Sequence, residues 1–249
     1  SGNDASNYSI GTQTTTATIN KATLTLAAAA DNKVYDASTA SGKSVSVTGL
    51  VPNDSISFSP QQQSFESKNV MGNDGSTLRV STGWTVNDGN GGNNYTVTTA
   101  SAPGTITPAS LTVKAADLSR VYDGTTSATG SVVVTGGSLQ GSDTLGATGV
   151  LSFADRHVGT GKTASIASIT LNDGNGGNNY NLIYANASVG TVTRLNSVSW
   201  VGGATGNWFD PANWAGGAVP DLSNVANVLI PSGVTVSFTV GGQSFFKRR

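Results

Sequence analysis

A stretch of this chain returns 87 residues later, and no other feature constrains its fold as strongly. Lys33-Val34-Tyr35-Asp36-Ala37-Ser38-Thr39 comes back as Arg120-Val121-Tyr122-Asp123-Gly124-Thr125-Thr126. Asn87-Asp88-Gly89-Asn90-Gly91-Gly92-Asn93-Asn94-Tyr95 comes back as Asn172-Asp173-Gly174-Asn175-Gly176-Gly177-Asn178-Asn179-Tyr180, now shifted by 85. A worn third copy, Gly2-Asn3-Asp4-Ala5-Ser6-Asn7-Tyr8, opens the chain 87 residues before Gly89 to Tyr95. Self-similarity over so long a period is the mark of a modular array in which each unit is one small domain.

The period sets the domain organisation. Residues 1–20 read as the end of a preceding repeat, 21–108 as a first full repeat, 109–195 as a second, and 196–249 as the truncated start of a different, Trp-rich module. A unit of this size can bury a modest core. Charged residues make up only 11% of the 249, against roughly 25% in an ordinary soluble domain. Thr, Ser, Asn and Gly take their place; Thr favours strands, while Gly and Asn favour turns. The net charge of −1 leaves no electrostatic footprint for nucleic acid or an anionic membrane. Cysteine is absent, which excludes disulfide, zinc-thiolate and thiol-nucleophile chemistry. No apolar run approaches the ~18 residues of a membrane-spanning helix. No signal peptide opens the chain, which reads as a fragment of something longer.

Each repeat opens on strict alternation, Ala22-Thr23-Leu24-Thr25-Leu26 in the first and Ser110-Leu111-Thr112-Val113 in the second, which puts one face of a strand on a core. Further strands are expected at 44–48, 55–59, 77–81 and 83–86, and at 131–135, 149–153, 163–167 and 168–171. Residues 1–20 resemble a last hairpin, with Asn7 to Ile10 matching Asn94 to Val97. A short turn of helix is conceivable at Ala27 to Ala30 or Lys114 to Asp117, too few residues to hold a helix alone. Thr107-Pro108-Ala109 joins the repeats without a flexible spacer, so the junction is expected to be stiff and the array rod-like. The fold expected is mainly β: tandem, elongated, β-sandwich-like or β-grasp-like modules, then the start of a β-solenoid-like module. Tyr35, Tyr122, Phe58, Phe153, Leu24, Leu111, Trp84 and Ile169 are its expected core.

The segments Val121-Tyr122-Asp123-Gly124-Thr125-Thr126, Phe153 to Lys162 and Gly177-Asn178-Asn179-Tyr180 resemble the YDG-type repeats of filamentous-haemagglutinin-like bacterial surface adhesins. Asn207 to Trp214, with its later prolines, is similar to linker or solenoid starts in the same exported giants. The first repeat departs from the pattern with Ala37 at the glycine, and with Ser67-Lys68-Asn69-Val70 where the second has Asp155-Arg156-His157-Val158. The resemblance implies secretion to the cell surface through an outer-membrane two-partner transporter, and it carries no catalytic residue.

The chemistry-bearing residues each have two readings. Tyr35 and Tyr122 can bury a ring while the hydroxyl reaches a polar partner, and Asp36 and Asp123 can close an Asx turn. Asp88 and Asn90, with Asp173 and Asn175, place oxygens at alternating positions as a calcium loop does, yet each loop has one carboxylate and its glycines suit a plain hairpin. Apart from possible calcium there, no cofactor is expected. Trp200, Trp208 and Trp214 could stack on a glycan, or could plug the end of a solenoid. Sequons stand at Asn7, Asn53, Asn94 and Asn186. The single histidine, His157, faces Asn69 in the repeat alignment, and no nucleophile elbow or metal cluster accompanies it, so no enzyme is expected. The reading is therefore a monomeric fragment of a stalk that carries adhesive domains for surface attachment and biofilm formation. The alternative makes each module a weak binder of host receptors or of host or biofilm glycans, acting through avidity.

Overall fold

Alternation of period two builds the opening strand of each repeat, and burial follows it residue by residue. In the computed structural model, which describes residues 9, 11–240 and 243–246, Leu24 and Leu26 on the strand Ala22–Ala27 are fully buried while Thr23 is exposed. On Ala109–Ala115 the residues Leu111, Val113 and Ala115 are fully buried and Ser110 is exposed. The molecule is nearly all β, with a 3-10 turn at Pro211–Asn213.

The chain divides into two compact units whose boundary does not follow the sequence repeat. The first holds the described residues up to Asp31, with Thr39–Ser67 and Asn73–Gly104. The second holds everything described from Thr105 onward, and also takes in Asn32–Ser38 and Lys68–Gly72. Two short segments of the first repeat thus belong to the second unit.

In the first unit Ala22–Ala27 lies between Ser46–Thr48, antiparallel, and Tyr95–Ala100, parallel in the register Ala22↔Tyr95 to Ala27↔Ala100. Leu24, Leu26, Val45, Val86 and Tyr95 form its core, lined by Ile56, Phe58 and Trp84. Ser76–Val80 pairs antiparallel with Gln63–Phe65, and Phe58 faces Trp84 across the pair Ser55–Phe58 and Trp84–Asn87. The second unit repeats the plan: Ala109–Ala115 lies between Val132–Gly136 and Tyr180–Ala185, the latter again parallel. A five-stranded sheet runs Leu118–Val121, Ala187–Thr193, Gly159–Ser168, Gly149–Phe153, Ser127–Gly130. Its first pair is parallel, Leu118↔Gly190 to Val121↔Thr193.

Beyond Arg194 successive passes of the chain pair in parallel, and Thr235–Val240 then turns back antiparallel onto Gln243–Phe246. Leu195–Ser199 pairs with Val225–Leu229 and Thr205–Asn207 with Thr235–Val240, and in both the register is 30 residues: Leu195↔Val225 and Thr205↔Thr235. A constant parallel register is one coil of a β-solenoid.

Several expectations need correction. No helical turn forms at 27–30 or 114–117; Ala27 and Lys114 are strand residues, their propensity overridden by pairing. Phe58, Trp84 and Ile169 are half-buried: Phe58 and Trp84 sit on a short two-stranded pair at the margin of the core, and Ile169 lies between strands, just after Gly159–Ser168. Of the hairpin expected in residues 1–20, Gly2 to Tyr8 and Ile10 lie outside the described residues. Residues 11–20 form no strand, and Ile19 there is 96% exposed, without an apolar face to pack. The strands expected at 163–167 and 168–171 become one strand, Gly159–Ser168, and a short Leu171–Asn172.

One close approach sets the packing of the large sheet. A Cβ on Gly190 would stand 2.2 Å from Cε1 of Phe153, so the ring lies flat on a strand that must have no side chain there. Gly104 meets Phe65 in the same way in the first unit, at 2.7 Å. Gly190→Ala should therefore cost about 1–3 kcal/mol in urea unfolding, the range for overpacking a core. Gly159→Ala, where a Cβ meets nothing within 4 Å, should be neutral. Equal effects would show that the ring is free to move.

Candidate functional site

The repeated signature segments meet in the second unit, around the loop Asp173 to Tyr180. Its shape comes from one carboxylate: Asp173 accepts the backbone N–H groups of Asn175 and Gly177 at 2.8 Å each and of Asn179 at 3.0 Å. Burial pushes the Asp173 carboxyl up, but the N–H groups of Gly177, Asn175 and Asn179 outweigh it and hold the acid below its usual range. The glycines at 174, 176 and 177 all have positive φ, as the loop path requires.

The loop presents Asn179, which is fully buried, to the segment 68–72. Asn179 Oδ1 accepts the N–H of Val70 at 2.8 Å, while its Nδ2 donates to Asn69 Oδ1 at 3.1 Å. Asn175 Nδ2 donates both to Asn179 Oδ1 at 2.9 Å and to the carbonyl of Val70 at 3.1 Å. Thus the backbone of Val70 is gripped on both its donor and its acceptor.

Beside this grip, Tyr35 is inserted from the segment 32–38, its side chain 2% exposed. Its hydroxyl and that of Tyr180 both donate to Asp143 Oδ2, at 2.9 and 2.8 Å, and the two rings meet edge to face at 5.4 Å. The N–H of Gln140 donates to the Tyr180 hydroxyl at 2.6 Å. Burial, then the bond to Asp143, raises the Tyr35 phenol well above its ordinary range. Tyr180 is pushed up to about 12, with burial the largest cause. The chain around Tyr35 is fixed by the Asx turn that its sequence announces: Asp36 Oδ1 accepts the N–H and hydroxyl of Ser38 at 2.9 Å each, and Lys33 Nζ pairs with Asp36 at 2.8 Å. Asp123, Thr125 and Arg120 repeat the arrangement.

The same grip occurs again farther along, at a place the sequence did not announce. Asp221 accepts the N–H groups of Ser223 and Asn224, and Asn224 Oδ1 accepts the N–H of Val158 at 2.8 Å. Asn224 Nδ2 meets His157 Nδ1 at 3.1 Å, as Asn179 Nδ2 meets Asn69. With Asn224 Oδ1 taken by Val158, it is the amide Nδ2 that faces the His157 ring. The lone histidine therefore stands in for an asparagine. Tyr122 inserts here as Tyr35 does at Asp143, 3% exposed, but its buried hydroxyl finds no hydrogen-bond partner among the described residues. Side-chain size alternates across the two insertions. Ala37, at φ 60°, lies opposite Gly141, whereas Gly124 lies opposite Ala218, where an added Cβ would stand 2.3 Å from the Ala218 Cβ.

The calcium candidates lie in these loops. The carboxylates of Asp88 and Asp173 are occupied by backbone N–H groups, Asn90 gives its side-chain amide to Asn94 within its loop, Asn175 gives its own to Asn179 and to the Val70 carbonyl, and no group of three metal-ligating acids, histidines or cysteines occurs among the described residues. The tryptophans pack on one another: Trp200 and Trp208 meet Trp214 edge to face at 5.0 and 4.7 Å, and Trp208 stacks on Phe238 at 5.1 Å. Trp200 and Trp214 are 5% and 1% exposed, with indole N–H groups bonded to the carbonyls of Gly203 and Trp208; Trp208 is half-buried.

The two tyrosines give opposite expectations for one substitution. Tyr35→Phe removes a bond to a carboxylate and should cost about 1.5–3 kcal/mol in urea unfolding of the second unit. Tyr122→Phe removes a buried, unpartnered hydroxyl and should be neutral or stabilising. Equal losses would mean that ring packing alone fixes both segments.

Three comparisons with known proteins bear on these observations. Residues 20–102 and again 107–189 match the family model described as the YDG domain. Neither a search of curated proteins nor one of solved structures gave a match. With two successive matches spanning most of its length, this chain belongs to the YDG domain family.

Proposed function

We propose that this chain is a load-bearing stalk region of a large secreted bacterial adhesin, which holds binding domains away from the cell for surface attachment and biofilm formation. Its parent would reach the surface through an outer-membrane two-partner transporter, and the repeats themselves would carry out no chemistry. The observation that carries the reading is the parallel pairing of entry and exit strands. In the second repeat the entering ribbon, Ala109–Ala115 then Leu118–Val121, runs parallel to the leaving ribbon, Tyr180–Ala185 then Ala187–Thr193. A pull on the two chain ends draws parallel neighbours in opposite directions, so the ladder is loaded in shear and its hydrogen bonds share the force. In a hairpin pulled from its open ends the bonds break one after another. In the first repeat Ala22–Ala27 is paired parallel with Tyr95–Ala100 in the same sense.

The tryptophans favour this reading over glycan binding, since Trp200 and Trp214 spend their rings on packing.

Single-molecule pulling on the chain ends tests the stalk. Forced unfolding is governed by the unfolding rate, so a shear ladder should give a high-force event. The span Ala109–Thr193 should release on the order of 250 Å of contour at 3.3–3.6 Å per residue. Rupture no stronger than that of the same unit pulled from the ends of the hairpin Gly149–Phe153 and Gly159–Ser168 would contradict a load-bearing role.

A further inference from the structure

The loop that grips Val70 occurs a second time in the same shape, but exposed. Asp88 accepts the N–H groups of Asn90, Gly92 and Asn94 at 2.9, 2.8 and 3.1 Å, against 2.8, 2.8 and 3.0 Å at Asp173. Asn90 Nδ2 donates to Asn94 Oδ1 at 2.9 Å, as Asn175 does to Asn179. Asn93 Nδ2 donates to the Asn90 carbonyl at 2.7 Å, as Asn178 does to that of Asn175. Tyr95 donates to Asp54 and accepts the N–H of Val51 at 3.0 Å, as Tyr180 does with Asp143 and Gln140. What differs is burial. Asn179 and Asp173 are 0% and 2% exposed, whereas Asn90 and Asn94 are exposed and Asp88 and Asp54 half-buried. A loop that holds this shape while exposed is organised before anything is bound, which lowers the entropy cost of binding.

We propose that Asp88 to Tyr95, with Asp54, is a docking site for a further YDG repeat standing N-terminal to the first in the same polypeptide. The occupant is fixed by the two loops of this design that are covered. One holds Tyr35 and the Asn69-Val70 pair, the other His157-Val158. In each, the loop asparagine takes a backbone N–H through its oxygen and gives its amide to the preceding side chain. The arriving repeat would therefore bring an Asn-Val or His-Val pair to Asn94 and a tyrosine hydroxyl to Asp54. Both such segments of this chain are engaged within the second unit, so the occupant is another repeat. The inference rests on the geometry of the loops and is independent of the display role.

The test compares the chain with a version in which a copy of residues 20–106 replaces residues 1–19. Unfolding of the first unit is followed in urea through the fluorine resonance of 5-fluorotryptophan at Trp84, the added copy carrying Trp84→Phe. In the chain itself, Asn94→Ala should change the folding equilibrium by less than about threefold, as expected of an exposed side chain. In the extended protein the same substitution should change it more than about tenfold, as for a buried partner lost. An equally small effect in both would overturn the proposal. Should that extension fail to fold, a copy of residues 107–193, whose Tyr122 and His157-Val158 supply the same groups, replaces it with the same two outcomes.

Discussion

Asp173 is the group on which the second unit depends. Three backbone N–H groups converge on its carboxylate, and the loop they close can take few other paths. Loss of that carboxylate would leave several buried donors without partners, each costing about 1–3 kcal/mol. Everything that the loop offers outward, from the amide of Asn175 to both ends of the amide of Asn179, is aimed by this one centre. Because its folded-state acidity is strengthened, the stability it contributes is present above about pH 4, the ordinary aspartate value, and is lost as pH falls through the lower folded value.

The site it builds is polar and specific, where an apolar seam would be tolerant. Val70 is held by its backbone, so the side chain there is left undetermined, while Asn69 and His157 fill the same role with different rings and amides. A backbone grip lets repeats diverge in sequence while keeping their manner of joining. The tyrosine beside it adds direction: its phenol donates to Asp143 and meets the Tyr180 ring edge to face, on a segment whose Asx turn is formed. Since a buried half-satisfied network is costly, a wrong arrival is penalised as strongly as a right one is favoured.

The fold was legible where it is local. Alternation at Leu24, Leu26, Leu111 and Val113 located the opening strands, and Tyr-Asp followed by Ser or Thr located an Asx turn that the structure contains. The grip was not legible. Asn69 and Asn179 lie 110 residues apart, and nothing in either neighbourhood marks the other as its partner. Both loops therefore read as hairpin turns or cation loops, because a carboxylate surrounded by glycine and asparagine serves either purpose. The grip at Asn224 was hidden for another reason: its loop is shortened to Asp221-Leu222-Ser223-Asn224, and Val225 stands where the repeats have tyrosine. Phe58, Trp84 and Ile169 are half-buried where full burial was expected, because apolar character says nothing of how much of a side chain its neighbours will cover.

Native-state hydrogen exchange at the amide of Val70 tests the central claim most directly. Val70 belongs by sequence to the first repeat and by packing to the second unit. If the grip of Asn179 is integral to that unit, the amide exchanges only when the unit opens as a whole, at the rate of the core amides of Leu111 and Val113. Exchange as fast as that of the exposed residues Met71 and Gly72 would show that the segment comes and goes freely, and would contradict the account.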